Sequence, residues 1–551
     1  MPTPPTDPSE SSVRSPSHTA QTRSSVGTNL AGIGYPTFVN PFIDLMKGAE
    51  PFFSGSAEAW RDGRPLAKDG RGYVRKLDPG QVARSFVLGE GAPQPAGKVT
   101  VLYKGEGTLE YRERVTNLKR SPGRDEFTLD GTGGFYLTLT SVNPHNHLRD
   151  VHIYMDSVGG PDSGTFSKPF LDSVREFSVL RAMNWTGTNR EAGLVDGEQE
   201  PFPYRRWKDY PQRDAMVWSP APFDVITELG NTLNRDIWLN VPHSADDDFV
   251  KRMAQQVHDT LEPERTVYVE YSNETWNDMF DQAFYVGRRG CEMFASDPVA
   301  ECTVEGTSGL CQLSDHGVNA GCYTYGLKYH AVRTAEVMAI WEAVFSDRRD
   351  KLIRVLGGRI GGMQQNGVAQ LNLKWKGEEP VHRRVDLYAV APYFYGDLTK
   401  SVDAFFATAP KGTNGIPKAM PAALAGFPDP DLGLYAWIKS DVQLLSAFPS
   451  VSIAAYEGGQ HLMSYEDPER KRVVEINRDP RMKALYLAYL DMWAELSDGA
   501  LFVHFTSPEA WTEFGAWGSK EYPAQPRKQA PKHDALLLYI ERSAKRTTHA
   551  E

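Results

Sequence analysis

Two glutamates, Glu274 and Glu457, each follow a short apolar stretch of the chain and are suited to acid–base chemistry. Before Glu274, β-branched and aromatic residues alternate with polar ones from Val267, as in a strand that stops near Asn273. Glu457 follows the apolar stretch VSIAAY and precedes two glycines, which let backbone or a ligand approach closely. Two carboxyls on separate strand ends, one protonated and one ionised, are what cleavage of a glycosidic bond requires.

Each glutamate also has a purely structural interpretation. Glu274 could bind only backbone amides at the start of a helix, where acidic side chains are common. The same explanation is weaker for Glu457, because an ionised carboxylate after a buried strand needs a partner.

Strand-like and helix-like segments alternate along most of the chain. A first strand near Asn29 is followed by strand-like segments at 178–183, 237–242, 267–273, 352–358, 385–396, 451–459 and 500–507. Residues between them show helical spacing of apolar side chains. Eight strands with intervening helices predict an α/β protein of the (β/α)8 TIM barrel class.

One part of the chain departs from this alternation. Residues 63–155 contain many short strand-like segments separated by Gly, Asp and Asn, which predicts an antiparallel β module inserted after the first barrel strand. The barrel is then expected to comprise residues 28–62 and 156–545. Residues 1–27 are rich in Pro, Ser and Thr, lack an apolar core segment and are expected to form a disordered leader.

The position of the two glutamates resembles that in a large group of known enzymes. Asn273-Glu274 after the fourth predicted strand and Glu457 after the seventh resemble the clan of retaining (β/α)8 glycoside hydrolases, which includes cellulases, mannanases, xylanases and β-galactosidases. The resemblance covers residues 28–545 without the insert. It implies that Glu274 is the acid/base, Glu457 the nucleophile, and Asn273 the amide that binds the sugar 2-hydroxyl.

Further site residues follow from the same resemblance. Arg181 is similar to the arginine on the second strand that keeps the nucleophile ionised, and Tyr393 to the tyrosine after the sixth strand that hydrogen-bonds it. Trp511 or Trp517 is similar to the tryptophan beneath the glycone. Trp207, in the aromatic loop 204–218, could line subsites or merely cover the barrel. The clan's mechanism needs no cofactor and no metal.

Composition narrows the class of partner. The chain has 551 residues and a formal net charge of -11, and no basic stripe is present to neutralise phosphates, which disfavours nucleic acid. Aromatic residues make up 11%, which is compatible with platforms for sugar rings. No apolar run approaches the roughly 18 residues needed to span a bilayer. A neutral, β-linked polysaccharide or oligosaccharide is the expected substrate.

The four cysteines are Cys291, Cys302, Cys311 and Cys322, all within one short segment. This crowding predicts two local disulfides, with the pairing left open, and favours an oxidising, secreted or extracellular location. The alternative of a zinc site lacks any C-x-x-C pair.

Two other functions remain open at this point. A degenerate barrel could bind carbohydrate without cleaving it, the carboxylates then serving as hydrogen-bond acceptors. A metal enzyme on the same barrel would use His243 with the acidic cluster Asp246 to Asp248. We expect this cluster instead to begin a helix, with Ser244 and Asp247 forming a capping box.

Overall fold

The computed structural model describes residues 26–34, 40–89, 96–113, 115–130, 133–189, 194–195, 198–199, 205–303, 310–311, 320–374, 377, 379–408 and 433–548. Within them, parallel strands form a closed barrel whose order follows the chain. The barrel strands are Val26–Asn29, Val179–Arg181, Asp236–Val241, Val267–Tyr271, Leu352–Gly357, Leu387–Val390, Ser452–Ala455 and Phe502–His504. The predicted TIM barrel is therefore confirmed.

Helices surround this barrel. The α-helices are Lys168–Val174, Phe223–Leu233, Asp247–Thr260, Asp281–Phe294, Pro298–Cys302, Ala320–Val344, Val368–Asn372, Val402–Thr408, Leu434–Leu445, Glu469–Arg478, Arg481–Ser497 and Pro531–Thr548. Their apolar sides face the strands: Asp247–Thr260, for example, buries Phe249, Met253 and Val257 at helical spacing. No helix among the described residues combines the length and apolar character needed to cross a membrane.

Side chains of the fourth barrel strand alternate between the surrounding helices and the barrel interior. Val267, Val269 and Tyr271 belong to the large apolar core that the barrel shares with its helices. The alternate residues Tyr268 and Glu270 point to the barrel interior, because successive side chains of a strand face opposite sides. The interior is filled by side chains such as Trp238, which stacks on Tyr268 with 5.3 Å between ring centroids.

The first barrel strand begins earlier than expected. Val26 and Gly27 were predicted to belong to the leader, but they pair with Phe502 and Val503 of the eighth strand and so close the barrel. The strand has only four residues, one of them glycine, so it carries too little periodic pattern to be distinguished from a loop. The remainder of the predicted leader, residues 1–25, lies outside the described residues.

The inserted β module contains two four-stranded antiparallel sheets and a two-stranded one of Ala67–Lys68 with Val74–Lys76. The first sheet has the order Phe53–Gly55, Val82–Leu88, Phe135–Val142, Gly107–Glu113, and the second has the order Arg149–Met155, Gly97–Lys104, Arg124–Leu129, Val115–Ser121. A separate apolar core lies between them. The module starts ten residues before the predicted boundary at residue 63, because the three-residue strand at Phe53 pairs with the strand at Val82.

The cysteine segment joins two long helices that follow the fourth barrel strand. Cys291 pairs with Cys302, and Cys311 pairs with Cys322, which confirms the prediction of two local disulfides. All four cysteines are buried, and their sulfur atoms lie within 4.8 Å of one another. The helices Asp281–Phe294 and Ala320–Val344 approach each other closely here. The absence of a side chain at Gly290 permits this approach, since a Cβ there would overlap the Tyr325 carbonyl oxygen.

We expect peptide mapping of the non-reduced protein to recover Cys291 linked to Cys302 and Cys311 linked to Cys322. A closed loop of this length removes chain entropy from the unfolded state, so reduction should lower the free energy of unfolding by about 2–4 kcal/mol per bridge. Denaturant unfolding with and without a reductant measures this loss. Recovery of a peptide linking Cys291 to Cys311, whose sulfur atoms lie 3.6 Å apart, would contradict the pairing.

Candidate active site

Glu274 and Glu457 both lie just beyond the carboxyl ends of barrel strands. Glu274 follows the fourth strand by three residues, and Glu457 follows the seventh by two. Since all strands of the barrel are parallel, these ends meet at one mouth of the barrel. The chain turns sharply before and at Glu274, where Ser272 and Glu274 adopt left-handed backbone conformations with φ of 62° and 42°.

A single guanidinium group, that of Arg181, connects residues from several strands at this mouth of the barrel. Arg181, at the end of the second strand, is 0% exposed. Its Nη1 donates to Glu457 Oε1 at 2.7 Å and to Asn29 Oδ1 at 2.8 Å. Its Nε and Nη2 donate to Glu270 Oε2 at 3.1 and 2.9 Å, and Nη2 also donates to Asn273 Oδ1 at 2.7 Å. Arg181 thus joins residues at the ends of the first, second, fourth and seventh strands.

Asn29 and Glu270 are members of this network that sequence reasoning missed. Glu270 is buried, accepts a second hydrogen bond from Trp238 Nε1 at 2.8 Å and pairs with Arg181. Burial raises the pKa of Glu270, while Arg181 and Trp238 act in the opposite direction. The available signal was a charged residue within an otherwise buried barrel strand, on the face opposite Val269.

Glu457 is held by two donors. Its Oε1 pairs with Arg181, and its Oε2 accepts a hydrogen bond from the Tyr393 hydroxyl at 3.0 Å. Arg181 and Tyr393, which the resemblance implied as partners of this carboxylate, both lie within hydrogen-bonding distance of it. Burial raises the pKa of Glu457, and the guanidinium and the hydroxyl both oppose that rise by stabilising the carboxylate. The following Gly458 is required by packing, since a Cβ there would lie 2.6 Å from the Phe502 ring.

Glu274 lies in a different environment, and its hydrogen-bond partners within the described part of the chain are neutral. Its Oε1 accepts from the Tyr456 hydroxyl at 3.2 Å, and its Oε2 accepts from Asn277 Nδ2 at 2.9 Å. The side chain keeps some exposure to solvent, but protein surrounds it on most sides. Burial and the negative charge of Glu457 together raise the pKa of Glu274 to about 8. This carboxyl is therefore protonated at neutral pH.

The amide of Asn273 is fixed on both sides. Its Oδ1 accepts from Arg181, and its Nδ2 donates to Asn189 Oδ1 at 3.1 Å. Gln282 Nε2 donates to the same Asn189 oxygen at 2.7 Å and to the Asn273 carbonyl at 2.8 Å. These bonds define which end of the Asn273 amide carries its donors.

Aromatic rings extend the site from Tyr393. The Tyr393 ring contacts His461 with 5.2 Å between centroids, and His461 also contacts Tyr395 at 5.1 Å. Trp517 donates from Nε1 to His461 Nδ1 at 3.4 Å. Phe505, which sequence reasoning missed, meets Tyr393 edge-on at 6.2 Å. Trp517 is therefore linked to the Glu457 carboxylate through His461 and Tyr393.

Trp511 and Trp207 serve packing instead. Trp511 is 7% exposed, donates to the Gly518 carbonyl at 2.7 Å and lies beneath the Lys532 ammonium group. Trp207 stacks on Phe223 at 6.0 Å and meets Phe249 edge-on at 5.5 Å, both at the starts of surrounding helices. Their assignment as substrate-binding residues is not supported by these contacts, because both rings are used to cover apolar neighbours.

The acidic cluster after the third strand begins a helix, as expected, but with a different cap. Asp246, rather than Ser244, is the N-cap, and its side chain accepts from the Phe249 amide at 2.9 Å. The other two carboxylates form ion pairs, Asp247 with Arg333 at 2.7 Å and Asp248 with Arg252 at 2.8 Å. Within the described residues, side chains of His, Cys, Asp or Glu converge in a metal-like group only at the four disulfide-bonded cysteines.

Comparison with known proteins found neither a matching family model nor a matching curated sequence. Solved structures with similarity to this chain include a fungal β-1,4-galactanase (9% identity, TM-score 0.34, covering 68% of this chain and 92% of the other). They also include the GH1 β-glucosidase of Exiguobacterium antarcticum B7 (11%, 0.34, 68% and 86%) and a β-glucosidase of Thermotoga maritima (11%, 0.34, 68% and 84%). Similarity at this level establishes no shared activity.

The raised pKa of Glu274 makes stability depend on pH. In the unfolded chain this carboxyl titrates near 4.5, and in the folded protein near 8, so between these values the folded state holds the extra proton. Stability therefore falls as pH rises through this window. We expect Glu274→Gln to gain stability relative to the unsubstituted protein from about pH 4.5 to about pH 8, in denaturant unfolding at a series of pH values.

The matched control is Glu466→Gln, because Glu466 is exposed after the same strand as Glu457. This variant reports the effect of losing one carboxyl away from Glu274. A difference between Glu274→Gln and the unsubstituted protein that stays constant with pH would contradict the assignment of the raised pKa.

Proposed function

We propose that this protein is a retaining glycoside hydrolase that acts on β-linked neutral polysaccharides or oligosaccharides. The observation that carries the proposal is the unlike environment of two carboxyls at one mouth of the barrel. Glu457 is bonded to a cation and a hydroxyl, which favours the carboxylate. Glu274, with a pKa of about 8, is protonated. One acid and one carboxylate are the pair that glycosidic cleavage needs.

In the first step, Glu274 gives its proton to the glycosidic oxygen as the bond from that oxygen to the anomeric carbon breaks. The Glu457 carboxylate attacks the anomeric carbon from the opposite face and forms an ester. Arg181 and Tyr393 hold the attacking carboxylate in place. The Asn273 amide, whose orientation is fixed by Arg181, is suited to bind the sugar 2-hydroxyl.

The second step reverses the role of Glu274. Formation of the ester removes the negative charge of Glu457, which is one of the two causes of the raised pKa of Glu274. Glu274, now ionised, takes a proton from water, and the resulting nucleophile attacks the anomeric carbon. The ester bond breaks, Glu457 leaves as a carboxylate, and the product keeps its original configuration.

Two further assignments belong to this proposal. Trp517, hydrogen-bonded to the His461 ring that contacts Tyr393, is suited to lie beneath the glycone, since an aromatic face packs against the apolar face of a sugar ring. The two disulfides favour an oxidising location, so we propose that the enzyme acts outside the cell.

A panel of soluble β-glucan, xylan, galactomannan and β-1,4-galactan tests the proposed reaction. We expect release of reducing sugar from at least one of them, and NMR should detect the retained anomer as the first product. Detection of the inverted anomer would reject the double displacement. Binding without release from any member of the panel would favour a carbohydrate-binding protein on the same barrel.

The proposed roles predict different effects of removing each carboxyl. Glu457→Ala should abolish turnover of every substrate, because no ester can form. Glu274→Ala should slow hydrolysis of natural linkages by roughly 10²–10⁴-fold, the usual contribution of a general acid. It should retain the first step on aryl glycosides with leaving groups that need no proton, and azide should accelerate turnover by replacing the activated water.

Steady-state and burst kinetics on paired aryl glycosides measure these effects, with the exposed Glu466→Ala as the control expected to match the unsubstituted enzyme. Near-normal activity of Glu457→Ala, or labelling of another carboxylate by a fluorosugar inactivator, would show that the assignment is wrong.

A further inference from the structure

The first sheet of the β module carries aromatic rings on its outer face. Its inner face supplies buried residues such as Val87, Leu109 and Leu137 to the module core. An antiparallel sheet with one face in water normally carries polar side chains on that face. Here Phe53, Phe86 and Tyr136 are only half-buried and lie outside that core. The module core does not account for these rings.

Strand register arranges the outer face into two rows. One row runs across the sheet through Phe53, Arg84, Thr138 and Glu110. The neighbouring row runs through Phe86, Tyr136 and Arg112. Each row therefore begins with an aromatic ring and ends with a charged side chain, and Glu110 and Arg112 form an ion pair at 2.9 Å.

A tryptophan from a neighbouring loop packs on the rings of these rows. Trp60, in the loop after the first strand of the sheet, is 42% exposed. Its ring meets Tyr136 edge-on at 4.9 Å and lies 5.5 Å from Phe86. Arg84 holds the loop in place, since its Nη1 donates to the Trp60 carbonyl at 2.8 Å and its Nη2 donates to the Ser56 carbonyl at 2.9 Å. The exposed ring is thus held in position by the sheet itself.

The sheet face, the Trp60 loop and a second loop enclose a groove of about 850 Å³. The second loop is the turn from Leu77 to Val82. The hydroxyls of Thr138, Thr140 and Ser141 complete the lining. A volume of this size lies within the range of roughly 300–1,000 Å³ found for small-ligand sites. All residues that line the groove lie between Ala57 and Val142, within the β module, so the groove is separate from the carboxylates of the barrel mouth.

The chemistry of the lining selects the ligand. Two cationic side chains, Arg84 and Arg112, are balanced by two anionic ones, Asp78 and Glu110, so the groove has no net charge to favour an ionic ligand. Aromatic rings offer apolar faces, while the Glu110–Arg112 pair and the hydroxyls offer acceptors and donors. A sugar ring presents this same combination of an apolar C–H face and a rim of hydroxyls.

We propose that this groove is a second, non-catalytic carbohydrate-binding site that takes a segment of a neutral glycan chain. Trp60 and Tyr136 provide the ring contacts, and the Glu110–Arg112 pair provides hydrogen bonds to hydroxyls at the charged ends of the rows. Such a site holds one part of a polysaccharide to the protein while another part of the same polysaccharide lies at the barrel mouth. The groove contributes no group to bond cleavage.

Affinity electrophoresis of the full chain, in gels containing β-glucan, xylan, galactomannan or β-1,4-galactan, tests this site. The protein carries Glu457→Gln so that no polysaccharide is degraded. We expect retention by at least one polysaccharide, and a loss of affinity of roughly tenfold or more on adding Trp60→Ala, as for a central aromatic contact. The control is Leu118→Ala, because Leu118 is equally exposed at 42% but lies on the second sheet of the module.

Glu110→Ala provides a second variant that keeps the fold, since an exposed ion pair contributes little to stability. It should also weaken retention, whereas hydrolysis of a short aryl glycoside by Trp60→Ala and Glu110→Ala, with Glu457 intact, should stay unchanged. Full retention of both variants, or no retention of the parent by any of these polysaccharides, would overturn the proposal. Retention that depends on Trp60 without any hydrolysis would reject the catalytic proposal alone.

Discussion

The structure of the barrel mouth depends on the burial of one cation. Removing an arginine side chain from water costs several kcal/mol unless carboxylates and hydrogen bonds replace its hydration. Arg181 has no exposure and meets this requirement with Glu270 and Glu457, together with the amide oxygens of Asn29 and Asn273. These partners come from different strands, so the guanidinium can be satisfied only when the barrel is closed.

Burial and the charges of this cluster together determine the state of the third carboxyl, Glu274. Arg181 faces two buried carboxylates, so the cluster already carries one more negative charge than positive charge when both are ionised. A further negative charge on Glu274 would be repelled by Glu457, and among the residues that the structure describes its hydrogen-bond partners, Tyr456 and Asn277, are neutral. Burial is the larger cause of the raised pKa of Glu274 and the charge of Glu457 is the second, whereas Arg181 acts in the opposite direction. The two glutamates therefore acquire different properties although both follow barrel strands.

The β module and the disulfide segment are inserted in connections between barrel elements, so they do not alter the Arg181 network. The β module has its own apolar core and enters between the first strand and the first helix. The disulfide segment joins the two helices after the fourth strand, where it restrains the chain that follows Glu274. Binding surfaces on these additions can therefore vary independently of the barrel mouth, since loops carry function while strands hold the scaffold.

The sequence by itself determined the alternation of strands and helices, and with it the barrel and the meeting of Glu274 and Glu457, because parallel strands bring their carboxyl ends to one side. The resemblance to a known clan added Arg181, Asn273 and Tyr393 as candidate site residues. Contacts across the barrel interior became evident only in the tertiary structure. Asn29 and Glu270 complete the network, and Trp517 is linked to it through His461 and Tyr393. Strands of three to six residues carry too little pattern to show which side chains meet across the interior. That choice is made by the register of the closed barrel, which joins residues hundreds of positions apart in the chain.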